Sequence, residues 1–240
     1  SQLIVSPKMF NTDIHAVMVD LDGTLVDTMG DFEAALNLSL ADIDLPKVSK
    51  QVVNIAVGKG SEHLIRTVLQ HQLALPEVSA SGMVCGNTTV EHLFEPAFAR
   101  YQHHYEKVNG QFAQVYPGVL EGLQQLRSRG LKLACLTNKP TAFAKALLAD
   151  KGLADFFSHV YGGDAFARKK PDPMPLTETC KAMGTQTANT LMLGDSQNDA
   201  QAARAAGCPV VLVTYGYNHG EPIHGVDCDG FVDRIDALHW

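Results

Sequence analysis

Four short, nearly continuous apolar runs punctuate the chain, each followed by a turn and then a helical pattern: "IHAVMVD" at 14–20, "LKLACLT" at 131–137, "TLMLGD" at 190–195 and "PVVLVTYG" at 209–216. Runs without polar alternation predict strands buried on both faces, as in a parallel sheet with helices on either side. "PGVLEGLQQLRSRG" at 117–130 reads as one such helix, with Pro117 at its first position and Gly130 at its end, and "TAFAKALLADKG" at 141–152 has the same finish. Between Thr28 and about Gly110 no comparable strand occurs. There the spacing of "FEAALNLSLADI", "SEHLIRTVLQHQL" and "TVEHLFEPAFARYQHHYEKV" is helical. The pattern predicts an α/β fold: a Rossmann-like parallel-sheet core with helices on both faces, built from residues 1–26 and 112–240. A helical cap at 27–111 is inserted after the first strand.

Composition narrows the function classes. With 240 residues, 45% hydrophobic and 19% charged, and a formal charge of −7, the chain reads as an ordinary soluble globular protein. It offers no basic footprint for nucleic acid. Its five cysteines (85, 135, 180, 208 and 228) are odd in number, widely spaced and without a C-x-x-C pair, so neither a disulfide framework nor a zinc site is expected. The opening "SQLIVSPKMFNTDIHAV" lacks a basic region followed by a long apolar segment and a cleavage site, and no stretch reaches the length of a membrane span. The expectation is a cytoplasmic protein without nucleic-acid or membrane partners, of oligomeric state not readable from the chain.

The candidate chemistry sits where the apolar runs end. Asp20 follows the first, Thr137 and Asn138 the second, and Asp195 the third. In an open α/β sheet, ligands bind in the crevice beyond the carboxyl ends of the strands, so these side chains would converge there. Asp20 and Asp22 are two apart, and an extended backbone would aim both to one side; Gly23 then lets the chain turn close to a ligand. With Asp195 and Asp199 of "GDSQND" the crevice would hold up to four carboxylates, and a divalent cation relieves their repulsion. Oxygen-only ligands and a phosphate substrate favour Mg²⁺. The histidines, including His103 and His104, show no H-x-x-x-H pair at zinc spacing and are expected to serve surface or core roles. In "GGDAFARKKPDPMPL", Lys169 and Lys170 precede a proline, and a lysine on such a loop would supply the cation that a phosphate and a carboxylate cluster both need.

The set D-x-D-G-T at 20–24, Thr137-Asn138, Lys170-Pro171 and G-D-S-x-x-D at 194–199 resembles, in order and spacing, the four-motif signature of the haloacid dehalogenase superfamily, whose helical cap lies between its first two motifs. "DLDGTLVDT", "VGKGSEHLI", "KPDPMPL" and "TYGYNHGEP" at 214–222 resemble its bacterial phosphoglycolate phosphatase branch. Taken alone, the last of these reads only as a Gly- and Tyr-rich loop after a strand. The resemblance implies a phosphomonoester hydrolase working through a phosphoaspartyl intermediate on a small phosphorylated metabolite, with 2-phosphoglycolate first among the substrates. In it Asp20 is the nucleophile and Asp22 the proton donor and acceptor. Thr137 and Asn138 bind the transferring phosphoryl group and Lys170 neutralises it. Asp20, the Asp22 carbonyl and Asp195 hold Mg²⁺, and Asp199 orients the lysine or the metal's waters. Lys59, in the loop "VGKGSEHL", would face the substrate's carboxylate. The alternatives are a phosphatase for a sugar phosphate, nucleotide or pyridoxal phosphate, a phosphosugar mutase, and, last, a non-catalytic binding module.

Overall fold

The computed structural model describes residue 10 and residues 13–80 and 89–240. Most of the opening segment read for a leader, and Cys85, lie outside the described residues. The four described cysteines are free, and among the described residues no helix is long and apolar enough to cross a membrane.

The chain runs β1 (Ala16–Val19), β2 (Val26–Asp27), α1 (Met29–Asp42), α2 (Lys50–Ala56), α3 (Ser61–Leu73), α4 (Pro76–Ser79) and α5 (Val90–Val108). It continues through β3 (Gln114–Val115), α6 (Val119–Ser128), β4 (Lys132–Leu136), α7 (Thr141–Asp150), β5 (His159–Tyr161) and α8 (Met174–Met183). The last elements are β6 (Thr190–Gly194), α9 (Gln197–Ala206), β7 (Val210–Val213) and β8 (Gly230–Val232). Six strands form one parallel sheet in the order β5-β4-β1-β6-β7-β8. Strand β1 lies between β4 and β6, with Val17 opposite both Leu133 and Leu191. It is therefore the point where successive strands depart to opposite sides, and the crevice opens beyond it.

Period-two alternation divides the sheet's side chains between two layers. Val17 and Val19 join Leu133, Cys135, Leu191 and Leu193 in a cluster closed by Leu123 and Leu126 of α6 and by Leu147 and Leu148 of α7. Ala16 and Met18 join Ala134, Leu136 and Met192 on the other face, under Leu176 of α8 and Ala203 of α9. At roughly 1.5–3 kcal/mol for each fully buried large aliphatic side chain, these layers fix the ends of β1, β4 and β6 against one another. Residues just past those ends inherit that rigidity.

Helices α1–α5 lie between β2 and β3, which pair antiparallel as a two-stranded ribbon with Val26 opposite Val115. They bury a cluster of their own, including Phe32, Leu36, Leu64, Val68, Phe94 and Tyr101. The ribbon is the stem through which the chain leaves the sheet and returns. One predicted boundary differs: α6 begins at Val119 rather than at Pro117, because Gly118 stands in the left-handed region (φ 85°) and serves as the N-cap. The predicted apolar runs contain β1, β4, β6 and β7, each shorter than its run. The edge strands β5 and β8 and the ribbon were not foreseen.

Candidate active site

Asp20 directly follows β1, and its N–H still bonds to the Leu193 carbonyl at 3.0 Å, so the sheet holds its main chain. Its carboxylate accepts the Leu21 N–H at 2.7 Å and lies 3.3 Å from the Lys170 ammonium. Burial, with the negative charge of Asp199 next, pushes its carboxyl up to about 7. Lys170 is buried beneath it and donates to the Leu136 carbonyl at 2.9 Å and to Asp199 at 2.7 Å. Burial works against its charge, but Asp199 and Asp20 outweigh that and hold the ammonium above its ordinary range. Lys169, the other member of the pair, is exposed beside Gly60 of the cap loop.

Asp195 follows β6 and Asp199 lies in the first turn of α9. Ser196 caps that helix, and the Asp199 carboxylate accepts the Asp195 and Ser196 N–H groups at 3.0 and 3.3 Å, closing a capping box. Burial alone would favour its acid form, but Lys170 and the Asp195 N–H hold Asp199 below the usual carboxylate range. Asp195 moves the other way, well above that range, through burial and then repulsion from Asp20 and Asp199. Its oxygens accept from Thr24 Oγ1 at 3.2 Å and from the Tyr217 N–H at 2.8 Å. Oxygens of Asp20, Asp195 and Asp199 all lie within 4.8 Å of one another. Three carboxylates, two of them buried and Asp20 partly so, answered by one lysine leave excess negative charge, and an all-oxygen donor set suits a hard divalent cation. Glycines make room for this centre: a Cβ on Gly23 (φ 82°) would overlap the Asp195 carboxylate, and one on Gly216 would overlap Asp195 and the Gly23 carbonyl.

The Asp22 side chain stands apart from that trio. One of its oxygens accepts from Thr28 Oγ1 at 2.7 Å and from the Lys139 ammonium at 2.6 Å. Lys139 is only 7% exposed and lies 4.8 Å from the ring centroids of both Phe32 and Tyr105. It was absent from the sequence-derived set, although its place one residue after Thr137-Asn138, at the end of β4, was the available signal. Thr137 Oγ1 accepts the Lys139 N–H at 3.1 Å, leaving its own proton to give. The Asn138 amide is engaged by main chain, donating to the Gly58 and Lys170 carbonyls and accepting the Lys170 N–H. Asn198, also missed, donates to the same two carbonyls at 3.3 and 3.2 Å, so two amides tie the cap loop to the Lys170 loop.

One cavity joins these groups. Asp20, Asp22, Thr137, Asn138, Lys139 and Asp195 form its floor, and Phe32, Val57, Leu64, Tyr101, Tyr105 and Phe143 its apolar roof. Gly58, Gly60 and Ser61 also line it, whereas Lys59 between them is exposed and outside the lining. The segment at 214–222 braces the site. Tyr215 donates to the Thr24 carbonyl at 2.6 Å, the Tyr217 hydroxyl donates to Asp27 at 2.6 Å, and Asn218 accepts the Gln197 N–H at 2.8 Å. Asp27 thus serves the entry to α1 rather than the carboxylate cluster. His104 pairs with Asp42 at 2.6 Å, away from the cavity.

A cluster of carboxylates and two buried lysines, Lys139 and Lys170, set past the strand ends at the switch point of a parallel sheet, points to a hydrolase class, and the chain belongs to it. Residues 17–213 match the haloacid dehalogenase-like hydrolase family. The chain is 40% identical over 229 residues to a phosphoglycolate phosphatase of Thiobacillus denitrificans, covering 95% of each, and 41% identical over 226 residues to that of Nitrosospira multiformis, covering 94% of each. Its fold is similar to the crystal structure of a predicted phosphoglycolate phosphatase from Haemophilus somnus, with a TM-score of 0.85 at 32% identity over 94% of this chain and 96% of that one.

Proposed function

We propose that this chain hydrolyses 2-phosphoglycolate to glycolate and phosphate through a phosphoaspartyl intermediate at Asp20. Its family and relatives make it a phosphoric monoester hydrolase. The observation that carries the finer reading is the different pairing of the two neighbouring carboxylates: Asp20 with Lys170 in the metal-compatible trio, Asp22 with Lys139 and Thr28. An Asp20 oxygen attacks phosphorus while the bond from phosphorus to the ester oxygen breaks. The leaving oxygen keeps that electron pair and takes a proton from Asp22 in its acid form. Asp22, now ionised, accepts a proton from a water that attacks the acyl phosphate. Phosphate leaves, and Asp20 regains its carboxylate. Thr137 donates to the transferring group, Lys170 neutralises it, and Asn138 holds the Lys170 loop in place. Mg²⁺, held by Asp20, Asp195 and the Asp22 carbonyl, would supply charge neutralisation at the phosphoryl oxygens, while Asp199 positions Lys170. Residues 27–111 serve as a cap over the core of 1–26 and 112–240.

A phosphate-release screen over small phosphorylated metabolites, with Mg²⁺ and with chelator, tests this. The expected result is Mg²⁺-dependent release with 2-phosphoglycolate giving the highest kcat/KM. A sugar phosphate isomerised without release of phosphate would overturn it.

A further inference from the structure

We infer that Lys139 and the hydroxyl of Tyr105 form the subsite for an anionic leaving group, so that the site selects short phosphomonoesters with a carboxylate on the carbon next to the ester oxygen. This deepens the phosphatase reading and rests on it. Lys139 is the one cationic side chain among the described residues lining the cavity. An ammonium has three N–H donors, and its side-chain bond in the structure goes to Asp22. Two N–H groups remain, in a setting where the Phe32 and Tyr105 rings keep water away and support the positive charge.

Tyr105 supplies an independent observation. It is wholly buried, it lines the same cavity, and its hydroxyl has no hydrogen-bond partner among the described residues. A buried hydroxyl without a partner is unfavourable, and a ligand's acceptor atom in the cavity removes that penalty. Burial, and next the charge of Asp22, raises its phenol well above the ordinary value, so it remains a donor.

The chemistry of the leaving group supplies the third step. Asp22 protonates the ester oxygen, so the carbons attached to that oxygen extend toward Asp22 and its partner. A carboxylate one carbon away would then lie beside the Lys139 ammonium, 2.6 Å from Asp22. The remaining roof is mostly apolar, and a polyhydroxylated leaving group would lose water there without replacement. Exposed Lys59, outside the lining, is not part of this subsite.

The test is the ratio of kcat/KM for 2-phosphoglycolate to that for ethyl phosphate, measured with Mg²⁺ in wild type, Lys139→Met, Tyr105→Phe and Lys59→Met. The two substrates share a phosphate and a two-carbon group and differ in the carboxylate. The ratio should fall about 10- to 150-fold in Lys139→Met and about tenfold in Tyr105→Phe, the span of hydrogen bonds to charged groups, and stay within about twofold in Lys59→Met. Tyr105→Phe keeps the ring and its packing, so it decides the matter if Lys139→Met fails to fold. A merely structural role would depress both substrates alike and leave the ratio unmoved, which overturns the subsite while the phosphatase stands. The same holds if wild type shows no preference for the carboxylate, or if Lys59→Met alone abolishes it. Failure of wild type to hydrolyse either ester overturns the phosphatase reading, and the subsite with it.

Discussion

Asp20 and Asp22 stand two residues apart and meet different surroundings, and in the proposed mechanism that difference would let one carboxylate bond to phosphorus while its neighbour moves a proton. Asp20 is raised to about 7 by burial and next by the charge of Asp199, whereas Asp22 has a lysine and a threonine to itself. Asp20→Asn should therefore lower kcat by about 10⁴-fold or more, as loss of a nucleophile does, with far-UV circular dichroism unchanged. In chelator at pH 8 its Tm should equal or exceed that of wild type, because the amide removes a buried charge repelled by Asp199. A lower Tm would mean that the charge stabilises the metal-free fold. Of the residues in this site, Asp20, Asp22, Thr137, Asn138, Asp195 and Asp199 were legible because each follows an apolar run or forms a motif with residues that do, whereas Lys170 stood out from Lys169 only through the family resemblance. Lys139 was not legible, since a lysine entering a turn reads as solvated. Its burial comes from Phe32 of α1 and Tyr105 of α5, and no local pattern brings those rings over it.

At the scale of elements, the site is an intersection of strand ends, and glycines let the backbones close on it. Gly216, just past β7, packs where a side chain would overlap Asp195 and the Gly23 carbonyl. Gly216→Ala should cost about 1–3 kcal/mol, as overpacking of a filled interior does, seen as a lower denaturant midpoint. Turnover should fall as well, because the displaced atoms belong to Asp195. Unaltered turnover and midpoint would show that the loop yields freely. The loop at 214–222 exposes the limit of pattern reading. It has no periodicity, and its work is done through contacts from Tyr215, Tyr217 and Asn218 to residues about twenty or nearly two hundred positions away. The edge strands β5 and β8 escaped notice for a related reason: each has three residues and is incompletely buried, so neither leaves a continuous apolar run. The central strands, buried on both faces, were plain in the sequence.

For the whole molecule, a sheet that fixes three strand ends gathers charges that repel in the absence of a cation, and a helical insertion roofs them. Stability without metal should follow Asp20. Its folded carboxyl is raised above the unfolded value of 3.8, so its contribution is complete below that value and is lost as pH rises through about 7. A cation needs the ionised form, so below pH 7 the apparent Mg²⁺ affinity should rise about tenfold per pH unit for each proton displaced. Thermal shifts in Mg²⁺ against chelator should accordingly be small at pH 5.5 and larger at pH 8. Equal shifts at both would place the cation away from Asp20. The layered sheet and its helical insertion were legible because the strands are written as continuous apolar runs and the insertion as a hydrophobic period of 3.6. The closeness of roof to floor was not, since it rests on Asn138 and Asn198 reaching Gly58 across the chain. The claim that Asp20 becomes phosphorylated is tested most directly in Asp22→Asn with p-nitrophenyl phosphate, whose leaving group needs little protonation while the intermediate's hydrolysis still lacks its base. Mixing enzyme and substrate with Mg²⁺ should give a burst of nitrophenolate close to one per active site, with phosphate release lagging behind. Intact-mass and peptide analysis should then find one added phosphoryl group, on Asp20. Nitrophenolate and phosphate appearing in step with no added mass, or a phosphoryl group on any other residue, would contradict the account.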